Sequence, residues 1–155
     1  MIQLDYPDTG LEHRQVGRPA FEILEHPADI GFRAFGGTLP ELFENSAVAL
    51  VSIASEIEDV EARLRYPLEA DGSDWESLLV AWLSEVLYWF DGKRISFCRF
   101  RIRAMDSCRL KAVAYGEPRN SLRHHAKPIV KAVTWHQLKI SPARDGLIAE
   151  VYLDI

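Results

Sequence analysis

The chain has 155 residues, 18 of them Lys or Arg and 23 Asp or Glu, for a formal net charge of −5 at pH 7. Hydrophobic residues make up 48% and charged residues 26%, the balance of a globular domain, which excludes disorder, a collagen-like repeat and a small disulfide scaffold. A single domain of this length hides roughly 70% of its unfolded surface, and its acidity argues against an autonomous nucleic-acid binder, because phosphate affinity comes from clustered positive charge.

Residues 1–20 show no sustained period and carry Pro7, Asp8, Gly10, Gly17 and Pro19. They read as a loosely ordered extension, with one domain over residues 21–155. The start, Met1-Ile2-Gln3-Leu4-Asp5, lacks the basic and apolar segments of a signal peptide. The longest apolar stretch, Ser77 to Phe90, contains Ser84 and Glu85 and is too short to cross roughly 30 Å of hydrocarbon. The expected location is the cytoplasm, with no membrane partner and with Cys98 and Cys108 reduced.

Phe21 to Glu25 reads as a short strand, broken at His26-Pro27-Ala28-Asp29. Ile30 to Phe35 reads as a second strand, closed by Gly36-Gly37. Thr38-Leu39-Pro40-Glu41 is a capping box, and the apolar stripe behind it (Leu39, Leu42, Phe43, Ala47, Leu50, Val51, Ala54) predicts a helix. Val60 to Glu69 alternates with period two, as a strand with one wet face does. Ser73-Asp74-Trp75-Glu76 then predicts a second helix, with Trp75, Leu78, Leu79, Trp82, Leu83, Val86, Leu87 and Phe90 inward and Asp91-Gly92 as its stop. Ile95 to Ala104, Leu110 to Tyr115, Ile129 to Ile140 and Leu147 to Leu153 all read as strands, with a hairpin turn at Met105-Asp106-Ser107. That geometry keeps Cys98 and Cys108 apart. The fold class is α+β, with two helices on one face of a largely antiparallel sheet. The polar loop Gly116 to Pro128 is long enough to suggest function.

Three places can carry chemistry. Asp29 lies between two short strands, where it can hold a hard cation or make an Asx-turn. At the C-terminal end, Glu150, Tyr152 and Asp154 share one strand face. There the carboxylate of Asp154 stands beside that of the terminal Ile155. Two adjacent carboxylates need a cation, a Lys or an Arg between them, unless the end is solvated and frayed. Within Lys131-Ala132-Val133-Thr134-Trp135-His136, Lys131 needs a partner or an escape to water, and His136 is a metal ligand, a proton shuttle or a surface residue. His124-His125 sit between Arg123 and Lys127, with no Cys or His pair at zinc spacing. No phosphate loop, dinucleotide fingerprint, nucleophile elbow, HExxH or EF-hand loop is present. Residue chemistry alone therefore reaches an α+β domain with a candidate oxygen-ligand cation site.

Taken in order, several segments resemble the archease family: His26-Pro27-Ala28-Asp29-Ile30-Gly31, Thr38-Leu39-Pro40-Glu41-Leu42-Phe43, Leu78-Leu79-Val80-Ala81-Trp82-Leu83 with Glu85, Gly116-Glu117, Lys131 to His136, and the ending Asp154-Ile155. The resemblance runs from about Phe21 to Ile155. It implies an accessory protein, without catalytic residues of its own, for the tRNA-splicing RNA ligase that joins 3′-phosphate ends using GTP and manganese. Such a protein promotes guanylylation of the ligase and its multiple turnover in tRNA splicing or RNA repair. It also implies a metal site formed by Asp29, Asp154 and Ile155, with calcium as the expected ion and magnesium or manganese as alternatives. These hard anionic oxygens suit such ions better than zinc. Lys131, His136 and His26 would belong to the functional surface, and an extension added after Ile155 should disable the protein. Pro27 departs from the Thr of many members and removes a hydroxyl and an N–H beside Asp29.

Two other classes stand beside this reading. One is a stand-alone metal-dependent hydrolase using Asp29, Asp154 and His136. The other is a chaperone-like modulator of tRNA modification that acts with tRNA or a tRNA methyltransferase. For direct RNA contact the local basic segment is Arg119, Arg123, His124, His125 and Lys127.

Overall fold

The two capping sequences open two helices, α1 (Leu39–Ala54) and α2 (Trp75–Leu87). The computed structural model describes residues 2–3, 19–26, 29–124, 127 and 129–155, and of residues 2, 3, 26 and 29 the backbone alone. The strands are β1 (Ile2–Gln3), β2 (Phe21–His26), β3 (Asp29–Gly36), β4 (Leu64–Asp71), β5 (Ile95–Met105), β6 (Arg109–Pro118), β7 (Ala132–Val133), β8 (Lys139–Ala143) and β9 (Gly146–Asp154). Most of the expected N-terminal extension lies outside the described residues, but Ile2 and Gln3 pair with Met105 and Ala104 as an edge strand.

At α1, the Thr38 hydroxyl accepts from the Glu41 N–H at 3.3 Å, while the Glu41 carboxylate accepts from Gly37 N–H, one residue earlier than a strict capping box. At α2 the cap is Asp74, reciprocated by Ser77; the expected box with Glu76 is shifted by one residue. The predicted stripes are inside, and Trp82 is fully buried with its indole N–H on the Phe43 carbonyl at 2.9 Å. That bond links the two helices and satisfies a polar atom whose burial would otherwise be costly.

Two helices on antiparallel strands is the observed class, but the strands form two sheets where one was expected. One sheet runs β1-β5-β6-β4; the other runs β2-β3-β9, with β7 and β8 sharing the far edge of β9. The cause lies in α1. Beyond the predicted stripe, Ala49 and Ile53 are also buried, so the helix has a band wide enough to pack on β3 of one sheet and β5 of the other. Glu44, buried on the same helix, accepts from the Ile102 N–H at 2.8 Å, where β5 shifts register. That bond feeds a donor at an irregular point in the ladder.

Two strand expectations change. Val60 to Glu69 does not start as a strand: residues 57–59 make one tight 3-10 turn, pairing begins at Leu64, and Leu64 is 49% exposed. Ile129 to Ile140 is not continuous either. Only Ala132–Val133 and Lys139–Ala143 pair, because the chain turns at Gln137, whose φ of 51° lies in the left-handed region. The β5–β6 hairpin turns where expected, with Asp106 Oδ1 accepting from the N–H groups of Cys108 and Arg109. Cys98 sits in the β5 bulge beside Tyr115, Cys108 is at the exposed turn, and both are free thiols.

Candidate functional site

Strand β9 places its residues as the alternation predicts. Val151 and Leu153 enter the core, while Tyr152 and Glu150 take the opposite face, where the Tyr152 hydroxyl donates to Glu150 at 2.8 Å. Across from Tyr152 in register is Gly31. A Cβ there would stand 2.6 Å from the Val151 carbonyl oxygen and 2.8 Å from Tyr152 Cδ1. Glycine is therefore what lets the Tyr152 ring lie flat on β3. Next along the face, Arg33 pairs with Glu150 at 3.2 Å and Glu22 at 3.5 Å.

The same register brings the two expected metal-site aspartates together. Ile30 stands opposite Leu153, so one more step places the backbone of Asp29, the first residue of β3, across from Asp154, the last of β9. Ile155 follows directly. On the other side of β9, the Lys131 N–H donates to the Asp154 carbonyl at 2.7 Å, which leaves the exposed Asp154 carboxylate available. Thr134 continues that edge, its N–H and its hydroxyl both donating to the Tyr152 carbonyl at 3.0 Å. His136 follows with its ring 6.0 Å from the Tyr152 ring, edge to face. Lys131, Trp135 and His136 are all exposed. The antiparallel pairing of β3 with β9 is what sets these two strand ends side by side. The side chains of His26 and Asp29 lie outside the described residues, and among the described residues no three His, Cys, Asp or Glu side chains converge on one point. The exposed Asp154 carboxylate is an anionic oxygen donor of the kind that hard cations take.

The basic segment of the long loop is arranged differently from an open RNA-contacting patch. His124 is 4% exposed. Its Nδ1 accepts from the Asn120 N–H at 2.8 Å, so the ring proton sits on Nε2 and faces Glu117 at 3.3 Å. With both ring nitrogens engaged, His124 is neither a metal ligand nor an RNA contact. Arg123 turns inward to ion-pair with Glu117. Lys127 donates to the Ser52 carbonyl at 3.1 Å and pairs with Glu56 at 3.2 Å. His125 lies outside the described residues.

Glu117 is the residue whose role sequence missed. It is 2% exposed and also accepts from the Glu61 N–H at 2.7 Å. Burial alone would raise its pKa, but the Glu61 N–H, Arg123 and His124 together lower it to about 2. Its only sequence signal was the Gly116-Glu117 pair.

Comparison with known proteins decides the family. The model described as Archease protein family (MTH1598/TM1083) matches residues 21–155. The chain belongs to the archease family. The archease of Methanosarcina acetivorans is 40% identical over 139 residues, covering 87% of this chain and 95% of that protein. The archease of Sulfolobus acidocaldarius is 34% identical over 136 residues, covering 87% and 98%. The solution structure of Methanobacterium thermoautotrophicum protein 1598 superposes with a TM-score of 0.74 at 32% identity, covering 88% of this chain and 99% of that one. A Thermotoga maritima archease, described as a possible chaperone, shares the fold with a TM-score of 0.62 at 19% identity, covering 92% and 100%. The archease match begins at the first residue of β2, so β1 lies outside it.

Proposed function

We propose that the chain is a non-catalytic activator of a GTP- and manganese-dependent RNA ligase that joins 3′-phosphate ends, and that it works in the cytoplasm on tRNA splicing or RNA repair. What supports this reading is membership of the archease family together with the β3–β9 register, in which Ile30, next to Asp29, stands opposite Leu153, next to Asp154. Asp29, Asp154 and the Ile155 carboxylate would hold a divalent cation, calcium first, with magnesium or manganese as alternatives. The cation would supply positive charge toward phosphate groups. Lys131 precedes β7 and donates its N–H to the Asp154 carbonyl, His136 lies against the Tyr152 ring, and the 60% exposed Trp135 offers a partner an aromatic anchor. No described helix is long and apolar enough to cross a membrane.

The test is ligation of a 3′-phosphate RNA by limiting cognate ligase with GTP and manganese, scored as turnovers per ligase. The wild-type chain should raise the turnover number, and Asp29→Ala, with its fold checked, should not. A competent ligase left unstimulated by the wild type would overturn the activator role, and full stimulation by Asp29→Ala would overturn the role of the cation site.

A further inference from the structure

The sheet β1-β5-β6-β4 has a second face, turned away from the core. Alternation puts Phe100, Ile102, Ala112, Ala114 and Leu68 inward among the core residues, where both helices pack. The side chains of the other face are Arg65, Tyr115 and Arg99 in one register row and Pro67, Val113 and Arg101 in the next. Arg103 joins them from the β5 irregularity, its guanidinium donating to the Tyr115 hydroxyl at 3.1 Å. The guanidinium carbons of Arg65 and Arg99 lie 5.7 and 4.2 Å from the centre of the Tyr115 ring. Arginines from two strands thus crowd around one tyrosine.

Two features of this face require a cover. Tyr115 is 3% exposed and Arg101 7%, although the helices pack on the other side of the sheet. Like charges this close also need anionic partners. The acids of the same face are engaged by other cations: Asp71 by Arg109 at 2.7 Å, Glu69 by Lys111 at 3.9 Å, and Glu117 by Arg123. Arg101 donates to the Phe100 carbonyl at 3.0 Å, and Arg99, Arg101, Arg103 and Tyr115 all have further partners. Because Arg101 and Tyr115 are buried in the isolated chain, what covers them belongs to the chain itself.

We propose that residues 4–12 of this chain are the occupant of this face, their carboxylates pairing with its arginines. The segment reads Leu4-Asp5-Tyr6-Pro7-Asp8-Thr9-Gly10-Leu11-Glu12, with three acids and no Lys or Arg. It lies outside the described residues, but the chain on either side fixes its ends. Gln3 pairs with Ala104 on β5, next to Arg103. The chain re-enters at Pro19, and the following Ala20 carbonyl accepts from the Phe35 N–H of the other sheet at 2.9 Å. Nine residues can reach about 30 Å, and the three strand spacings from β1 to β4 span roughly 15 Å. Asp5, Asp8 and Glu12 supply the missing charge, and Leu4, Tyr6 and Leu11 supply apolar surface for Tyr115, Pro67 and Val113. The archease match starts at residue 21, so this cover lies outside the family domain. With its arginines neutralised from within, the face offers phosphate groups no binding surface.

The inference stands apart from the ligase reading, because it needs only the isolated full-length chain. Backbone 15N spectra of the wild type are compared with those of a variant carrying Asp5→Asn, Asp8→Asn and Glu12→Gln together. These positions lie outside the family domain, so the variant should keep its fold. The amides of Arg99 to Arg103 and of Tyr115 should shift in the variant. The heteronuclear NOE of residues 4–12 should match that of β5 in the wild type and fall in the variant. Arg103→Gln should in return shift the amides of residues 4–12. Shifts confined to residues 4–13, or a wild-type NOE of that segment as low as a free tail's, would overturn the proposal. Shifts at the face that grow with protein concentration would assign the cover to a second copy of the chain. Saturable shifts there on adding a short RNA at physiological salt would make the face a nucleic-acid surface. Either result would overturn the proposal as well.

Discussion

His124 Nε2 lies 3.3 Å from Glu117 Oε2, and both side chains are almost fully inside the protein. The carboxylate is charged because Arg123 and the Glu61 N–H complete its shell. Its pKa of about 2 lies below the ordinary 4.5. Between those values the unfolded chain binds more protons than the folded one, so stability rises with pH. The Glu117 contribution is fully present above about pH 4.5 and lost as pH falls through about 2. Glu117→Gln should therefore flatten the pH dependence of denaturant midpoints in that window. At pH 7 it should lower the denaturant midpoint, since a neutral amide replaces the charged acceptor of Arg123. An unchanged acid limb in the variant would show that this carboxylate does not drive acid unfolding.

The contact of Gly31 with Tyr152 gives a second test. Gly31→Ala places a methyl 2.6 Å from a backbone oxygen, which no side-chain motion relieves. The β3–β9 pairing must shift, at a cost of about 1–3 kcal/mol. Equilibrium urea unfolding measures it, and a midpoint equal to wild type would mean that the strands separate without penalty. Because the same ladder aligns Asp29 with Asp154, any cation affinity should fall together with stability.

How far residues alone led can be seen at β9 and at β7. The alternation of Glu150 to Asp154 was legible because one face of that strand is core and period two follows directly. The helices were legible for the same reason, with caps to mark their starts. What escaped was set by long-range context. Ile129 to Ile140 is apolar enough for a strand, but its break depends on Gln137 taking a left-handed conformation, which composition does not reveal. The doubling of the sheet depends on α1 burying Ala49 and Ile53 as well as its stripe, and which sheet each side of so wide a band packs on is set by the rest of the fold. At the candidate site, Asp29, Asp154 and Ile155 came from a family resemblance combined with carboxylate chemistry. The basic residues near 123 had the opposite outcome: Arg123 and His124 looked like a surface patch because their partner, Glu117, precedes them by six and seven residues and becomes their neighbour only when the loop folds back.

The proposed cation site predicts a linkage that needs no ligase. The Asp154 carboxylate is exposed, and the backbone of Asp154 is held by Lys131 whatever the side chain does. Asp154→Asn should therefore leave the melting temperature of the metal-free chain within the small range of surface substitutions, about 0.5 kcal/mol. Calcium that binds the native state alone should raise the wild-type melting temperature with the logarithm of its concentration. The rise should vanish in Asp154→Asn and in Asp29→Asn. A calcium response that survives both changes would place the ion elsewhere.

Trp135 separates docking from folding. It is 60% exposed, at the turn that carries His136 past Tyr152. A solvent-facing indole contributes little to the core, so Trp135→Ala should change unfolding free energy by no more than about 0.5 kcal/mol. As an anchor in a partner's pocket it would contribute at least about 2 kcal/mol of binding, roughly a thirtyfold change in affinity. The expected result is a chain of wild-type stability whose half-maximal concentration for ligase stimulation rises by that factor, while maximal stimulation at saturation is retained. The retained maximum matters, because it distinguishes weakened docking from a damaged cation site, where Asp29→Ala should lower the maximum itself. A half-maximal concentration unchanged by Trp135→Ala would move the docking surface away from this turn.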